Sequence, residues 1–123
     1  MNARLLIVDD SMVIRNLIAR RMLDKRLPSI DVVGLASDGE QALALAKSRK
    51  PDYITMDLTM PRMDGEACIE RLATVVPNAG IIVVSALSDK ATALRAISKG
   101  AHGFLHKPFT DDQLIEALLE LMR

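Results

Sequence analysis

Apolar residues along the chain come in short unbroken runs and in helically spaced sets, and the two kinds alternate five times. Leu5-Leu6-Ile7-Val8 is apolar on both faces and is cut off by Asp9-Asp10. Such runs belong to strands buried on both sides of a parallel sheet. Asp10 or Ser11 can then cap a helix in which Ile14, Leu17, Ile18 and Met22 share one face, with Arg15, Arg20 and Arg21 on others. That helix is expected to reach about Lys25, before Leu27-Pro28.

A second strand lies between Ile30 and Ala36, centred on Val32-Val33. Ser37-Asp38-Gly39-Glu40 reads as a capping box opening an alanine- and leucine-rich helix that Pro51 ends. The third strand runs through Tyr53-Ile54-Thr55-Met56 into Asp57, and Asp64 can cap a helix from Gly65 to about Val76. After the turn residues Pro77-Asn78-Ala79-Gly80, the run Ile81-Ile82-Val83-Val84 ends on Ser85. Ser88-Asp89 can start a helix through Ala91, Leu94 and Ile97 that stops at Gly100. The short strand Gly103-Phe104-Leu105-His106 meets Lys107-Pro108, and a capping box from Thr110 to Gln113 opens the last helix.

Five strand–helix units without a linker predict one α/β domain over 1–123, a doubly wound parallel sheet with helices on both faces. The common strand order for such a flavodoxin-like sheet is 2-1-3-4-5, with its switch point between the first and third strands.

Composition narrows the function. Sixteen basic residues balance sixteen acidic ones in a chain of 123, so nothing favours a nucleic-acid or membrane surface as partner. Tyr53, Phe104 and Phe109 are the whole aromatic complement, too few for a base-stacking platform. No apolar run approaches a membrane span or a signal peptide. Cys68 is the sole cysteine and sits in a helical context, as buried filler of a protein from a reducing compartment. His102 and His106 lack further His or Cys ligands nearby in sequence, so neither suggests a metal site.

The strand ends carry the chemistry. The first strand stops on Asp9-Asp10, the third on Asp57, the fourth on Ser85 and the fifth on Lys107. Ligands of open α/β sheets sit at that carboxyl edge. Three crowded carboxylates need a cation or a retained proton, and oxygen ligands without His or Cys favour Mg²⁺, which commonly pairs with phosphate. A lysine and a hydroxyl complete a phosphoryl-handling set, in which an aspartate can itself be the nucleophile. Asp57 is the central candidate.

These segments resemble the response-regulator receiver family, of the stand-alone chemotaxis type. The resemblance spans about Arg4 to Arg123 and rests on Val8-Asp9-Asp10-Ser11, Met56 to Gly65, Val84-Ser85-Ala86 and Lys107-Pro108-Phe109. It implies Asp57 as phosphoacceptor, Asp10 and Asp57 as Mg²⁺ ligands with the Thr59 carbonyl, and Asp9 acting through water. It further implies Ser85 as switch hydroxyl, Lys107 as the phosphoryl-pairing cation, Phe104 as the aromatic switch and a cis Lys107–Pro108 peptide. Thr59 and Leu87 would modulate the hydrolysis rate, and an apolar Leu87 predicts slow self-dephosphorylation. Serine stands at position 85 where the family often has threonine. Phe104 replaces the tyrosine usual in motor-binding members, which weighs against direct motor binding.

The expected partners are a sensor histidine kinase and an output protein on the face of the fourth helix, fifth strand and fifth helix. Lys90, Arg95, Lys99 and His106 are candidates for that face. The expected state is a cytoplasmic monomer. Other roles within the family are a phosphate sink or shuttle, or a receiver excised from a longer regulator. A haloacid-dehalogenase-like phosphatase would need an acid where Thr59 stands. A flavin or nucleotide module would want a phosphate-cradling loop where Asp9-Asp10 stand.

Overall fold

The computed structural model describes residues 2–60, 64–86 and 90–123. Five parallel strands, β1 (Ala3–Val8), β2 (Ile30–Ala36), β3 (Tyr53–Met56), β4 (Gly80–Ser85) and β5 (Gly103–His106), form one sheet of order β2-β1-β3-β4-β5. Helices α1 (Met12–Arg21), α2 (Gly39–Arg49), α3 (Gly65–Val75), α4 (Lys90–Lys99) and α5 (Asp111–Leu121) connect and follow them. The expected fold and strand order are therefore met. No helix among the described residues is long and apolar enough to cross a membrane.

Period-two alternation sends neighbouring side chains of each strand to opposite faces, and the core accordingly divides in two. Leu6, Val8, Ile54, Met56, Ile81 and Val83 pack under α2, α3 and α4 with Cys68, Ile69, Leu72 and Ala96. Leu5, Ile7, Ile82, Val84 and Leu105 pack with Ile18 and Met22 at α1 and with Leu114, Ile115 and Leu118 of α5. Burying each of the larger side chains contributes about 2–3 kcal/mol. Because both faces are covered, β1 is apolar from Leu5 to Val8, and the next residue, Asp9, is a carboxylate that stays buried.

The helix ends differ from the sequence reading in instructive ways. α1 stops at Arg21 rather than near Lys25. The backbone then turns through Leu23 and Asp24 to Leu27, with Leu27 N–H on the Asp24 carbonyl, and the Asp24 carboxylate takes the Arg26 side chain and amide. Ser11, not Asp10, caps α1. The box read from Ser37 to Glu40 is displaced by one residue: Asp38 accepts the Gln41 amide, and the Gln41 side chain returns to the Ser37 amide. Asp64 caps α3 and the Thr110–Gln113 box opens α5 as expected. The Ser88-Asp89 start of α4 lies outside the described residues. Gly100 follows α4 at φ 128°, a conformation L side chains resist. The Lys107–Pro108 peptide is cis.

α4 is fastened sideways to α3. Arg95 pairs with Glu66 at 3.2 Å and Lys99 with Glu70 at 3.0 Å, two rungs one helical turn apart. Two of the four residues proposed for the output face thus point toward α3 instead.

Sequence reading missed one buried cost. Thr55 is 1% exposed on β3, and its hydroxyl has no hydrogen-bond partner among the described residues. A buried unpaired polar group costs about 1–3 kcal/mol. Thr55→Val, nearly the same shape, is expected to raise unfolding free energy by about 1 kcal/mol or more. Urea unfolding of the two proteins measures the difference, and an equal or lower midpoint for the variant contradicts it.

Candidate functional site

Strand register builds the site. Val8 of β1 lies opposite Met56 of β3, so the next residue of each chain, Asp9 and Asp57, emerges side by side at the sheet edge. The Asp57 amide donates to the Val8 carbonyl at 2.9 Å and ties the two ends together. On the other side Met56 pairs with Val83, and β4 continues to a fully buried Ser85. Ser85 pairs with His106, and the Lys107 amide donates to the Ser85 carbonyl at 2.8 Å, placing Lys107 one step beyond.

Lys107 reaches back across the edge. Its Nζ lies 2.7 Å from Asp9 Oδ2 and 3.8 Å from Asp57 Oδ1, with both carboxylates almost fully buried. Asp9 Oδ1 accepts the Ser11 amide at 2.9 Å, and Asp57 Oδ1 accepts the Thr59 amide at 3.2 Å. Asp10 is exposed and completes the group: one carboxylate oxygen from each of Asp9, Asp10 and Asp57 lies within 4.8 Å of the others. Three hard oxygen donors at that spacing fit Mg²⁺ and have no nitrogen or sulfur to favour a softer metal.

Beside the site, Leu58 and Gly65 are packed backbone against backbone. Gly65 donates its amide to the Leu58 carbonyl at 3.0 Å, and an added Cβ would meet the backbone of Leu58 and the Asp57 carbonyl. Glycine is required there by close approach. Pro61, Arg62, Met63 and Leu87 lie outside the described residues.

The structure gathers Asp9, Asp10, Asp57, Thr59 and Lys107 into one cluster and brings Ser85 to its border. Phe104 is set apart on the edge strand β5, half-buried against the α2–α4 side of the core. His106 is exposed near it, its Nε2 3.2 Å from the Ala86 carbonyl. In the sequence Arg15 is placed only off the apolar face of α1, with no role at the site. It is instead half-buried, and its Nη1 donates to the Asp9 carbonyl at 2.7 Å. Helical periodicity carries no sign of this, because the side chain folds back beyond the start of its own helix.

Residues 5–119 match the family model described as the response regulator receiver domain. The chain is 40% identical over 118 residues to the chemotaxis protein CheY of Thermotoga maritima, covering 96% of each protein. It is 38% identical to CheY of Bacillus subtilis over 94% of this chain and 93% of that one. Among solved structures, the CheX–CheY–BeF₃–Mg²⁺ complex from Borrelia burgdorferi superposes with a TM-score of 0.91 at 28% identity. That match covers 98% of this chain and 90% of the other.

Burial pushes the Asp57 carboxyl up to about 6, and the neighbouring Asp9 charge works in the same direction. Lys107 and the Thr59 amide pull it down without prevailing, and Asp10 adds a smaller upward push. An unfolded chain would release this proton near 3.8. Between roughly pH 4 and 6 the native state therefore holds more protons, and stability falls as pH rises through that window. Above it the cost is complete, about 2–3 kcal/mol. Metal-free Asp57→Asn is expected to exceed wild type in stability by that order at pH 7. The gap should narrow below pH 6 and close by about pH 4. Urea titrations in chelator across this range test it, and a gap independent of pH contradicts it.

Proposed function

The chain belongs to the response regulator receiver family, and on that premise we propose that Asp57 accepts a phosphoryl group from the phosphohistidine of a sensor kinase. As a receiver homologous to CheY chemotaxis regulators, the protein serves two-component phosphorelay signalling. One observation carries the assignment of roles: a buried carboxylate at the centre of the sheet edge, flanked by two more acids and faced by a lysine.

Asp9, Asp10 and Asp57, with the Thr59 carbonyl, would hold Mg²⁺, Asp9 through water. The bound cation would neutralise charge on the transferring phosphoryl oxygens. A carboxylate oxygen of Asp57 attacks phosphorus; the P–O bond forms as the P–N bond breaks, and the electron pair leaves with the donor imidazole. Lys107, already between Asp9 and Asp57, turns from Asp9 toward the new phosphoryl oxygens. The Ser85 hydroxyl supplies a further donor to the same group.

Drawing the Ser85 hydroxyl toward the phosphoryl group frees room for the Phe104 ring. The α4–β5–α5 face then favours an output partner, as a shift between two populated arrangements. Exposed Leu94 and Ile97 on α4 supply apolar area for that contact. Phenylalanine turns inward without a hydroxyl to anchor, so the reading favours an output protein other than the flagellar motor. Thr59 and Leu87 offer no acid or amide to orient water, and the acyl phosphate is expected to be long-lived. The domain so read is a signalling element whose only chemistry is its own phosphorylation and dephosphorylation. It works as a monomer in the cytoplasm, a setting that suits the buried free thiol of Cys68.

Acetyl phosphate with Mg²⁺ is expected to add one phosphoryl group to wild type, read by intact mass. Asp57→Asn should gain none, and Lys107→Ala should react about 10²-fold more slowly. Full labelling of Asp57→Asn would show that another residue is the nucleophile. Leu87→Glu is expected to shorten the lifetime of the phosphorylated form, measured by the decay of that mass after the donor is removed.

A further inference from the structure

The peptide joining Asp9 to Asp10 carries both acids of the β1 end, so whatever holds that peptide sets the relation between the two carboxylates. Its oxygen belongs to a residue only 1% exposed and lies ahead of α1, where no helix amide reaches it. The first amide–carbonyl bond of α1 runs from Arg15 to Ser11, at 3.0 Å. The Asp9 carbonyl is met by a side chain instead: Arg15 curls back and donates Nη1 to it at 2.7 Å.

The Asp9 carboxylate is engaged separately, by the Ser11 amide on Oδ1 and by Lys107 on Oδ2. Asp10 differs. Among the described residues its carboxylate takes part in no hydrogen bond or ion pair, so its placement near the cluster depends on where the backbone of the Asp9–Asp10 peptide sets its Cα and Cβ.

We propose that Arg15 is a positioning residue for the divalent cation: by holding the Asp9 carbonyl it orients the Asp9–Asp10 peptide and aims Asp10 at the oxygens of Asp57. The inference rests on reading the acidic cluster as a cation site. Groups that orient metal ligands without touching the metal typically carry about 10–100-fold in affinity. A guanidinium suits the task because its planar donors stay charged and keep a fixed direction, which the point-like ammonium of lysine cannot copy. Its charge acts the other way, repelling the cation. The two effects separate in about 0.5 M KCl, where screening acts over roughly 4 Å.

The test is calorimetric titration of Mg²⁺ into the full chain in that salt, comparing wild type, Arg15→Met, Arg15→Lys and Arg20→Met. Arg20→Met controls for the loss of an exposed α1 charge. Arg15→Met is expected to bind Mg²⁺ at least about 10-fold more weakly, Arg15→Lys to fall between, and Arg20→Met to match wild type. Metal-free urea midpoints report whether each variant is folded. If Arg15→Met fails to fold, Arg15→Lys decides: weaker binding at an unchanged midpoint supports the role. Wild-type affinity in a folded Arg15 variant overturns it. Wild type that takes up no Mg²⁺ overturns the cation site itself, and the role of Arg15 with it.

Discussion

Three strand ends meet through one ammonium group. Lys107 reaches from the end of β5 to Asp9 after β1 and toward Asp57 after β3. Two almost fully buried carboxylates that close together would repel strongly in a medium of low dielectric. The lysine offsets part of this, yet burial first and the Asp9 charge second still raise the proton affinity of Asp57. The metal-free site is thus held short of positive charge. A divalent cation, followed by the transient charge changes of phosphoryl transfer, is what such a cluster is disposed to receive. Rigid surroundings make this possible: the strand register that seats Asp57 beside Asp9 is enforced on both sheet faces by fully buried side chains.

Much of this was legible in the residues. Uninterrupted apolar runs announced strands covered on both faces, and their alternation with helical spacing led to the sheet order. Chemistry could be read at the strand ends because a parallel sheet sends all of them to one edge, whatever their distance in sequence. Asp9 and Lys107, ninety-eight positions apart, meet for that reason.

Other features depended on side-chain paths that no pattern records. Ser37 looked like the cap of α2, yet Asp38, equally able to cap, takes the position because the extended backbone runs one residue further. Arg15 looked like one more surface arginine of α1. Its contact with Asp9 arises from a side chain folding back beyond the helix start, which periodicity cannot express. The Thr55 hydroxyl was hidden differently: threonine suits a strand by shape, and only the packed core reveals that its oxygen has no partner among the described residues.

The ladder between α3 and α4 has a bearing on how such a domain can diverge. Thr92 and Ala96 seat α4 on the core, and Arg95 and Lys99 moor it to α3. Its position is thereby settled by residues that face inward or sideways. Leu94 and Ile97 contribute little to holding the helix, being more than half exposed. Substitutions at those outward positions would therefore change the surface that α4 offers while the helix keeps its seat.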